Sequence, residues 1–367
     1  MKTAYINGIV YTGEERQTGK TILVKDGVIE AVTDASSVSS EYQVKDLKDL
    51  SIAPAFIDLQ IYGGNGKLFS ADLDTASIQA TYDYCLNGGC THFMITMATN
   101  TMEVFLKGIA LVQSYWQKGG KGCLGLHLEG PYINPIKKGA HLASAIKQPT
   151  VEEVKWLLQK GGGVIKMMTI APEVCDKAIV ELLLQSGVIV SAGHSNATYQ
   201  QAKEKFELGI PAATHLFNAM SPLQSREPGI VGAVYNDSAI QSSIVADGIH
   251  VDFAAVSISK KIMKERLFFI TDAVAATDKG DYLHVFKGDR YTLPDGTLSG
   301  SALTMMQAVK NAVQYCDIPL DEALRMASTY PAKLLSGNIP QGKIAQGYSA
   351  GFVTFDDDLN VVNTFTT

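Results

Sequence analysis

Over the first fifty residues hydrophobic and polar positions alternate with period two, as in Ala4-Tyr5-Ile6 and Thr21-Ile22-Leu23-Val24. That is the pattern of a strand with one buried face. Asn7-Gly8 and Asp26-Gly27 supply the expected hairpin turns between such strands. Short alternating segments return only near the end, in Lys343-Ile344, Phe352-Val353-Thr354-Phe355 and Val361-Val362. The two ends are therefore expected to complete one small β-sandwich, built from residues 1–50 and 339–367 around a body at 51–338.

In that body the pattern changes to apolar runs of four to seven residues. Eight of them fall at 53–59, 92–96, 123–128, 164–170, 188–192, 212–215, 242–246 and 267–271. Buried parallel strands read this way, because helices cover their outer face and neighbouring strands fill the inner one. Helices are expected in the gaps, for example at 151–159 after Pro149-Thr150 and at 197–208 with Ser195 or Asn196 as cap. Strand and helix alternating eight times predict an α/β chain folded as a (β/α)8 TIM-like barrel. A doubly wound sheet is the alternative, but its ligand crevice would draw on fewer strand ends.

Polar residues collect where the apolar runs stop: Asp58 and Gln60, then Glu129, Glu173, His194, His215, Asp247 and Asp272. In a barrel those ends share one face, the face where active sites lie. Glu129, His194 and His215 offer one carboxylate and two imidazoles, a set suited to a borderline divalent cation such as zinc with one position left open for water. Asp272 is placed to take a proton from that water and return it to a leaving amine. Together the four describe metal-assisted hydrolysis. His127, two residues before Glu129 on the same strand face, is expected in the barrel interior behind the ligands. His92 and His284 stand in no such context and are read as structural.

Composition narrows the field further. With 46% hydrophobic and 19% charged residues the chain has the make-up of a folded globular protein. Its 31 Lys and Arg against 37 Asp and Glu give a net charge of −6, which argues against general affinity for nucleic acid or anionic membrane. An anionic ligand must then meet a local positive site. The five cysteines, Cys85, Cys90, Cys123, Cys175 and Cys316, show no CxxC spacing and read as reduced core thiols. No apolar signal region opens the chain and no stretch approaches the roughly 20 apolar residues that span a bilayer, so a cytoplasmic address is expected. Gly119-Gly120 and Gly161-Gly162-Gly163 read as turns between helices and strands, and no phosphate-binding glycine motif stands out.

Five stretches carry a resemblance: His127-Leu128-Glu129-Gly130-Pro131-Tyr132, Ala192-Gly193-His194-Ser195-Asn196-Ala197, Thr214-His215-Leu216-Phe217-Asn218-Ala219-Met220, Thr271-Asp272-Ala273 and Leu298-Ser299-Gly300-Ser301-Ala302-Leu303-Thr304-Met305. As a set they resemble the N-acetylglucosamine-6-phosphate deacetylases of the amidohydrolase superfamily, over nearly the whole chain. The resemblance implies one divalent metal ion per subunit on Glu129, His194 and His215, zinc first, with iron(II), manganese and cobalt as alternatives. It implies Asp272 as acid/base and His141 as a group that polarises the substrate carbonyl. By the same implication Ala140, His141, Asn218, Ala219, Arg226, His250, Leu298, Ser299 and Gly300 bind the phosphorylated amino sugar. A homodimer is implied too, with Arg226, a fork of donors in the loop Ser225-Arg226-Glu227-Pro228-Gly229, reaching the neighbouring subunit's site. One feature departs from the superfamily: Gln60 and Tyr62 stand where most members carry His-x-His, so a second, deeper metal is not expected. Gln60 is read as holding a water there. Two rival readings remain, an amidohydrolase for a cyclic amide, nucleobase or N-acetyl amino acid, and a non-catalytic sugar-phosphate sensor.

Overall fold

The computed structural model describes residues 1–34, 38–335 and 340–366. Its centre is a sheet of eight parallel strands, Phe56–Ile61, Cys90–Ala98, Cys123–Glu129, Ile165–Ile170, Ile189–Ala192, Ala212–Ala213, Gln241–Ile244 and Leu267–Phe269, each paired with the next in chain order. The last returns to the first just beyond its end. Asp272 N–H donates to Gln60 O at 3.0 Å and Tyr62 N–H donates to Ala273 O at 2.9 Å, which closes the sheet into the expected barrel. Every residue of Phe56–Ile61 is buried, as expected of a strand with barrel interior on one side and helices on the other.

Several helices start where a short polar side chain accepts one of their first free N–H groups. Asp74 caps Thr75–Asn87, Thr101 caps Met102–Gln117 and Thr150 caps Val151–Gly161. The helix expected at 197–208 is shorter, Tyr199–Phe206, and its cap is Thr198, which with Gln201 forms a capping box. Ser195 and Asn196 lie ahead of that cap at the barrel mouth, where Glu173 accepts from the Ser195 hydroxyl and the Asn196 N–H.

The two ends of the chain meet in one seven-stranded sheet, made of Lys2–Tyr11, Arg16–Lys25, Val28–Asp34, Gln43–Asp46, Ser51–Pro54, Phe352–Phe355 and Val361–Phe365. It encloses a separate apolar cluster in which Tyr5 meets the rings of Phe352 and Phe365 edge-on. The run 53–59 is thus shared between two sheets: Ser51–Pro54 pairs antiparallel with Phe352–Phe355, and the barrel begins at Phe56. Asp26-Gly27 makes the expected hairpin turn, both residues having positive φ. Asn7-Gly8 does not. It lies inside Lys2–Tyr11 at a slip in register, where a Cβ on Gly8 would stand 2.5 Å from Leu47 Cδ1. Lys343-Ile344 is not a strand either; Ile344 N–H donates to Thr12 O at 2.8 Å and its side chain joins the terminal cluster. The division placed between residues 338 and 339 lies outside the described residues.

One element was not foreseen. A small three-stranded sheet, Val285–Phe286, Arg290–Thr292 and Leu298–Ser301, follows the eighth barrel strand. Ser301 N–H donates to Asp272 O at 3.0 Å, so the sheet is hung on the barrel mouth. Gly300 makes that approach possible: at φ +137 a Cβ there would lie 2.5 Å from Val274 Cγ1.

Candidate active site

Of the strand-end polar side chains, Glu129, His194, His215 and Asp272 line one pocket of about 180 Å³. Glu129, from the third strand, lies at its floor with three imidazoles around it. His194 Nε2 stands 3.2 Å and His215 Nε2 2.7 Å from its Oε1, and His141 Nε2 stands 3.1 Å from its Oε2. The backbone turns sharply to aim these groups: His194, His215 and Asp272 have φ of 47, 35 and 55. Such left-handed conformations are uncommon outside glycine and each costs about 1–3 kcal/mol, so the surrounding fold must hold them.

The proton positions fit a cation. His194 Nδ1 lies 2.8 Å from Lys137 O, which only accepts, so the neutral ring carries its proton there and turns a lone pair on Nε2 towards Glu129. Two lone pairs then face each other across 3.2 Å. His215 Nδ1 is buried with no hydrogen-bond partner among the described residues. Burial, before any other influence, pushes the His141 pKa down to about 4, so that ring does not meet the carboxylate as a cation. A divalent cation satisfies the set. The donor atoms of Glu129, His141 and His194 all lie within 4.8 Å of one another, while His215 approaches the same carboxylate oxygen as His194. Of the two candidates for third ligand, His215 points to the oxygen His194 shares, whereas Thr99 backs His141 Nδ1 with its N–H at 3.3 Å and its hydroxyl at 2.8 Å. When that N–H donates, the His141 ring proton sits on Nε2 and faces the pocket.

Asp272 stands beside this set. Its carboxyl is held well above the usual carboxylate range, first by burial and then by the negative charge of Glu129. Glu129 is the reverse case: burial opposes its ionisation, but His194 and His141 draw it well below the usual range. Gln60 links the two, its Nε2 lying 3.1 Å from Glu129 Oε1, 2.9 Å from Asp272 Oδ1 and 3.0 Å from Tyr62 Oη. Tyr62 donates to Glu129 Oε2. Neutral donors therefore stand at the two departing positions. Behind them Asp58 accepts from Thr271 Oγ1 at 2.5 Å and from the Gln60 N–H at 3.2 Å, and burial raises its pKa to about 7. His127 is buried as expected, between Leu59 O and Thr169 Oγ1.

Ala140, Asn218, Ala219 and His250 line the pocket, as do Leu298, Ser299 and Gly300. His250 Nδ1 is 2.6 Å from Asp247 Oδ2, with Asp247 drawn below its usual range by that contact against the effect of burial. Arg226 is not brought in. It is exposed on its loop, and its guanidinium has no hydrogen-bond or ion-pair partner among the described residues. Two further residues escaped the sequence reading. His284, read from the sequence as structural, lines the pocket, and nothing around it in sequence marked it. Glu173, seen only as a strand-end carboxylate, accepts from Asn134 Nδ2 at 2.9 Å, Ser195 Oγ at 2.7 Å and Asn196 N–H at 2.7 Å. It thereby ties the loop that carries His194 to the one whose Lys137 O fixes the His194 proton.

Comparison with known proteins bears on the same face. The model of the amidohydrolase family matches residues 51–367. An N-acetylglucosamine-6-phosphate deacetylase of Haemophilus influenzae is 36% identical over 375 aligned residues, covering 99% of this chain and 98% of that one. Among solved structures, the N-acetylglucosamine-6-phosphate deacetylase of Pasteurella multocida superposes with a TM-score of 0.95 at 34% identity, over 100% of this chain and 98% of that one. A mutant N-acetyl-D-glucosamine-6-phosphate deacetylase from Mycobacterium smegmatis, in complex with N-acetyl-D-glucosamine-6-phosphate, follows with a TM-score of 0.91 at 29% identity, over 100% of this chain and 98% of that one.

Proposed function

The chain belongs to the amidohydrolase family, and from that premise we infer that it is an N-acetylglucosamine-6-phosphate deacetylase of amino-sugar catabolism, releasing acetate and glucosamine 6-phosphate. The observation that carries this reading is the single pocket in which Asp272 and the Glu129 imidazole set face Asn218, Ala219 and His250. A reacting amide and a sugar phosphate need those two groups of residues in one cleft. A non-catalytic sensor has no use for a buried carboxyl poised as a base.

Glu129, His194 and His215 would hold one divalent cation, zinc ahead of iron(II), manganese or cobalt. When bound it supplies Lewis acidity towards the acyl oxygen and makes water more acidic. The chain's own residues do the rest. Asp272, its proton affinity raised by burial, takes a proton from the attacking water. His141 donates from Nε2 to the acyl oxygen as negative charge gathers on it. As the C–N bond breaks, Asp272 returns the proton to the departing amine and acetate is left. Gln60 keeps Asp272 and Glu129 in place without adding charge. Ala140 and the Leu298-Ser299-Gly300 strand enclose the sugar, and Asn218, Ala219 and His250 receive its phosphate, joined by the partner subunit's Arg226. This makes the working unit a homodimer, with a cytoplasmic setting that suits a phosphorylated metabolite. Among the described residues no helix is long and apolar enough to cross a membrane.

The test is acetate release from N-acetylglucosamine 6-phosphate and from plain N-acetylglucosamine, with metal counted per chain. Turnover of the phosphorylated sugar, lost on chelation and restored by zinc, is the expected result. Equal turnover of both sugars would remove the phosphate end from the reading, and no turnover of either would remove the enzyme.

A further inference from the structure

His284 lies between the eighth strand end and the hairpin strand Leu298–Ser301, and its ring forms part of the pocket wall. Two contacts fix that ring. Its plane is 14° from that of Tyr282 with centroids 6.2 Å apart, and its Nδ1 is 2.8 Å from the Ser299 hydroxyl. Tyr282 is fixed in turn, its hydroxyl donating to Thr99 O at 2.6 Å and accepting from Leu142 N–H at 3.2 Å. His284 Nε2 has no hydrogen-bond partner among the described residues. Burial lowers the pKa of this ring to about 4, so it meets a ligand as the neutral imidazole.

That leaves a polar group held in place with nothing to bond. If Ser299 accepts from Nδ1–H, then Nε2 offers a lone pair; if Ser299 donates, Nε2 offers an N–H. A hydroxyl satisfies either form, because it both donates and accepts. A phosphate oxygen satisfies only one, and an acyl methyl satisfies neither. The amide and phosphate ends of the substrate already have polar residues assigned to them, whereas beside the sugar ring only Ser299 is polar, and its hydroxyl is engaged with His284 Nδ1. We propose that His284, anchored by Ser299, hydrogen-bonds one ring hydroxyl of the amino-sugar phosphate and makes that hydroxyl a requirement for efficient turnover. The proposal rests on the deacetylase reading above and deepens it from reaction to sugar specificity.

The experiment measures kcat/KM for wild type, His284→Phe and His284→Gln on N-acetylglucosamine 6-phosphate and on its 1-, 3- and 4-deoxy analogues. With wild type, one deoxy analogue should fall about ten- to hundred-fold below the parent sugar. His284→Phe should lose a similar factor on the parent and nothing further on that one analogue, while His284→Gln, keeping a donor and an acceptor, recovers part of the loss. Equal losses by His284→Phe on all four substrates, or no loss on any, would overturn the proposal. Should His284→Phe fail to fold, Ser299→Ala takes its place, and it must reproduce the same pattern, a loss on the parent sugar that is absent on that one analogue. A wild type that releases no acetate from the parent sugar would instead refute the deacetylase reading, leaving the two failures distinct.

Discussion

Asp272 is a carboxyl whose proton affinity is raised by burial and by the charge of Glu129, which is what a base for an attacking water requires. Asp272→Asn keeps the shape and its contact with Gln60 but cannot take a proton. We expect kcat to fall by about 10²–10⁴ with KM within a few-fold, read by steady-state kinetics. A raised KM with kcat preserved would make Asp272 a binding group. Asp58 makes a prediction about stability instead. Its carboxyl titrates near 3.8 when unfolded and near 7 when buried in the fold. Between those values the folded chain keeps a proton the unfolded chain has lost, so the contribution is complete below pH 4 and is lost as pH rises through 7. Across that shift the effect is at most about 4 kcal/mol, at about 1.4 kcal/mol per pH unit. Asp58→Asn copies the protonated form: its oxygen can accept the N–H groups of Gln60 and Thr271, and its amide can face Thr271 Oγ1. Melting temperatures of wild type should therefore fall more steeply between pH 5 and pH 8 than those of Asp58→Asn, and parallel curves would refute this. At this scale the convergence of Glu129, His194, His215 and Asp272 on one pocket was legible in the sequence, because each stands at or just past the end of an apolar run. His284 was not, since it sits in a loop with no period and meets Ser299 only through a hairpin.

The elements explain why side chains from distant strands hold their aim. Strands end early where the pocket begins: the run 212–215 suggests four strand residues, but the strand is only Ala212–Ala213; Thr214 N–H still donates to Ala192 O at 2.9 Å, and the backbone turns at His215, φ 35, to bring the imidazole over the mouth. Pattern shows an apolar run and cannot show where its backbone departs. The same limit misplaced Asn7-Gly8, whose dipeptide suits a turn but whose glycine admits Leu47 beside a continuing strand. Glu173 shows what elements do together. It receives donors from the loops after the third and fifth strands, and Asn134, one of those donors, also caps the turn Pro135–Lys137 whose last carbonyl fixes the His194 proton. Glu173→Ala should therefore loosen the His194 ring without touching the pocket lining. We expect metal affinity to fall about 10–100-fold in competition with a chromophoric chelator, with KM nearly unchanged once metal is saturating. Glu173→Gln, which keeps one acceptor oxygen, should fall between. Unaltered affinity in a variant that melts like wild type would show that the three loops hold themselves.

At the scale of the whole molecule the barrel and the terminal sheet were both readable, because a period of two at the ends and buried runs between them leave few topologies. The role of Arg226 belongs to this scale too. It is a planar cation suited to phosphate, yet it lies exposed on the loop before Gly229–Asn236 and lines no wall of its own pocket. An uncompensated net charge of −6 makes a missing local cation matter for a phosphorylated substrate. If the partner subunit's Arg226 completes the site, the two halves of the requirement lie on different chains and can be separated by mixing. Arg226→Ala alone should lose about ten- to hundred-fold in kcat/KM for the phosphorylated sugar, and Asp272→Asn alone should be nearly inactive. Unfolded together and refolded, half of randomly paired dimers carry one copy of each variant, and each of these has one site with both residues intact. Activity should then rise to about a quarter of wild type per chain, since half the dimers have half their sites working. Activity equal to the mean of the two parents would place Arg226 with its own chain's pocket or with none. The recovered activity should also weaken as salt is added, because the contact it restores is between a guanidinium and a phosphate near the surface.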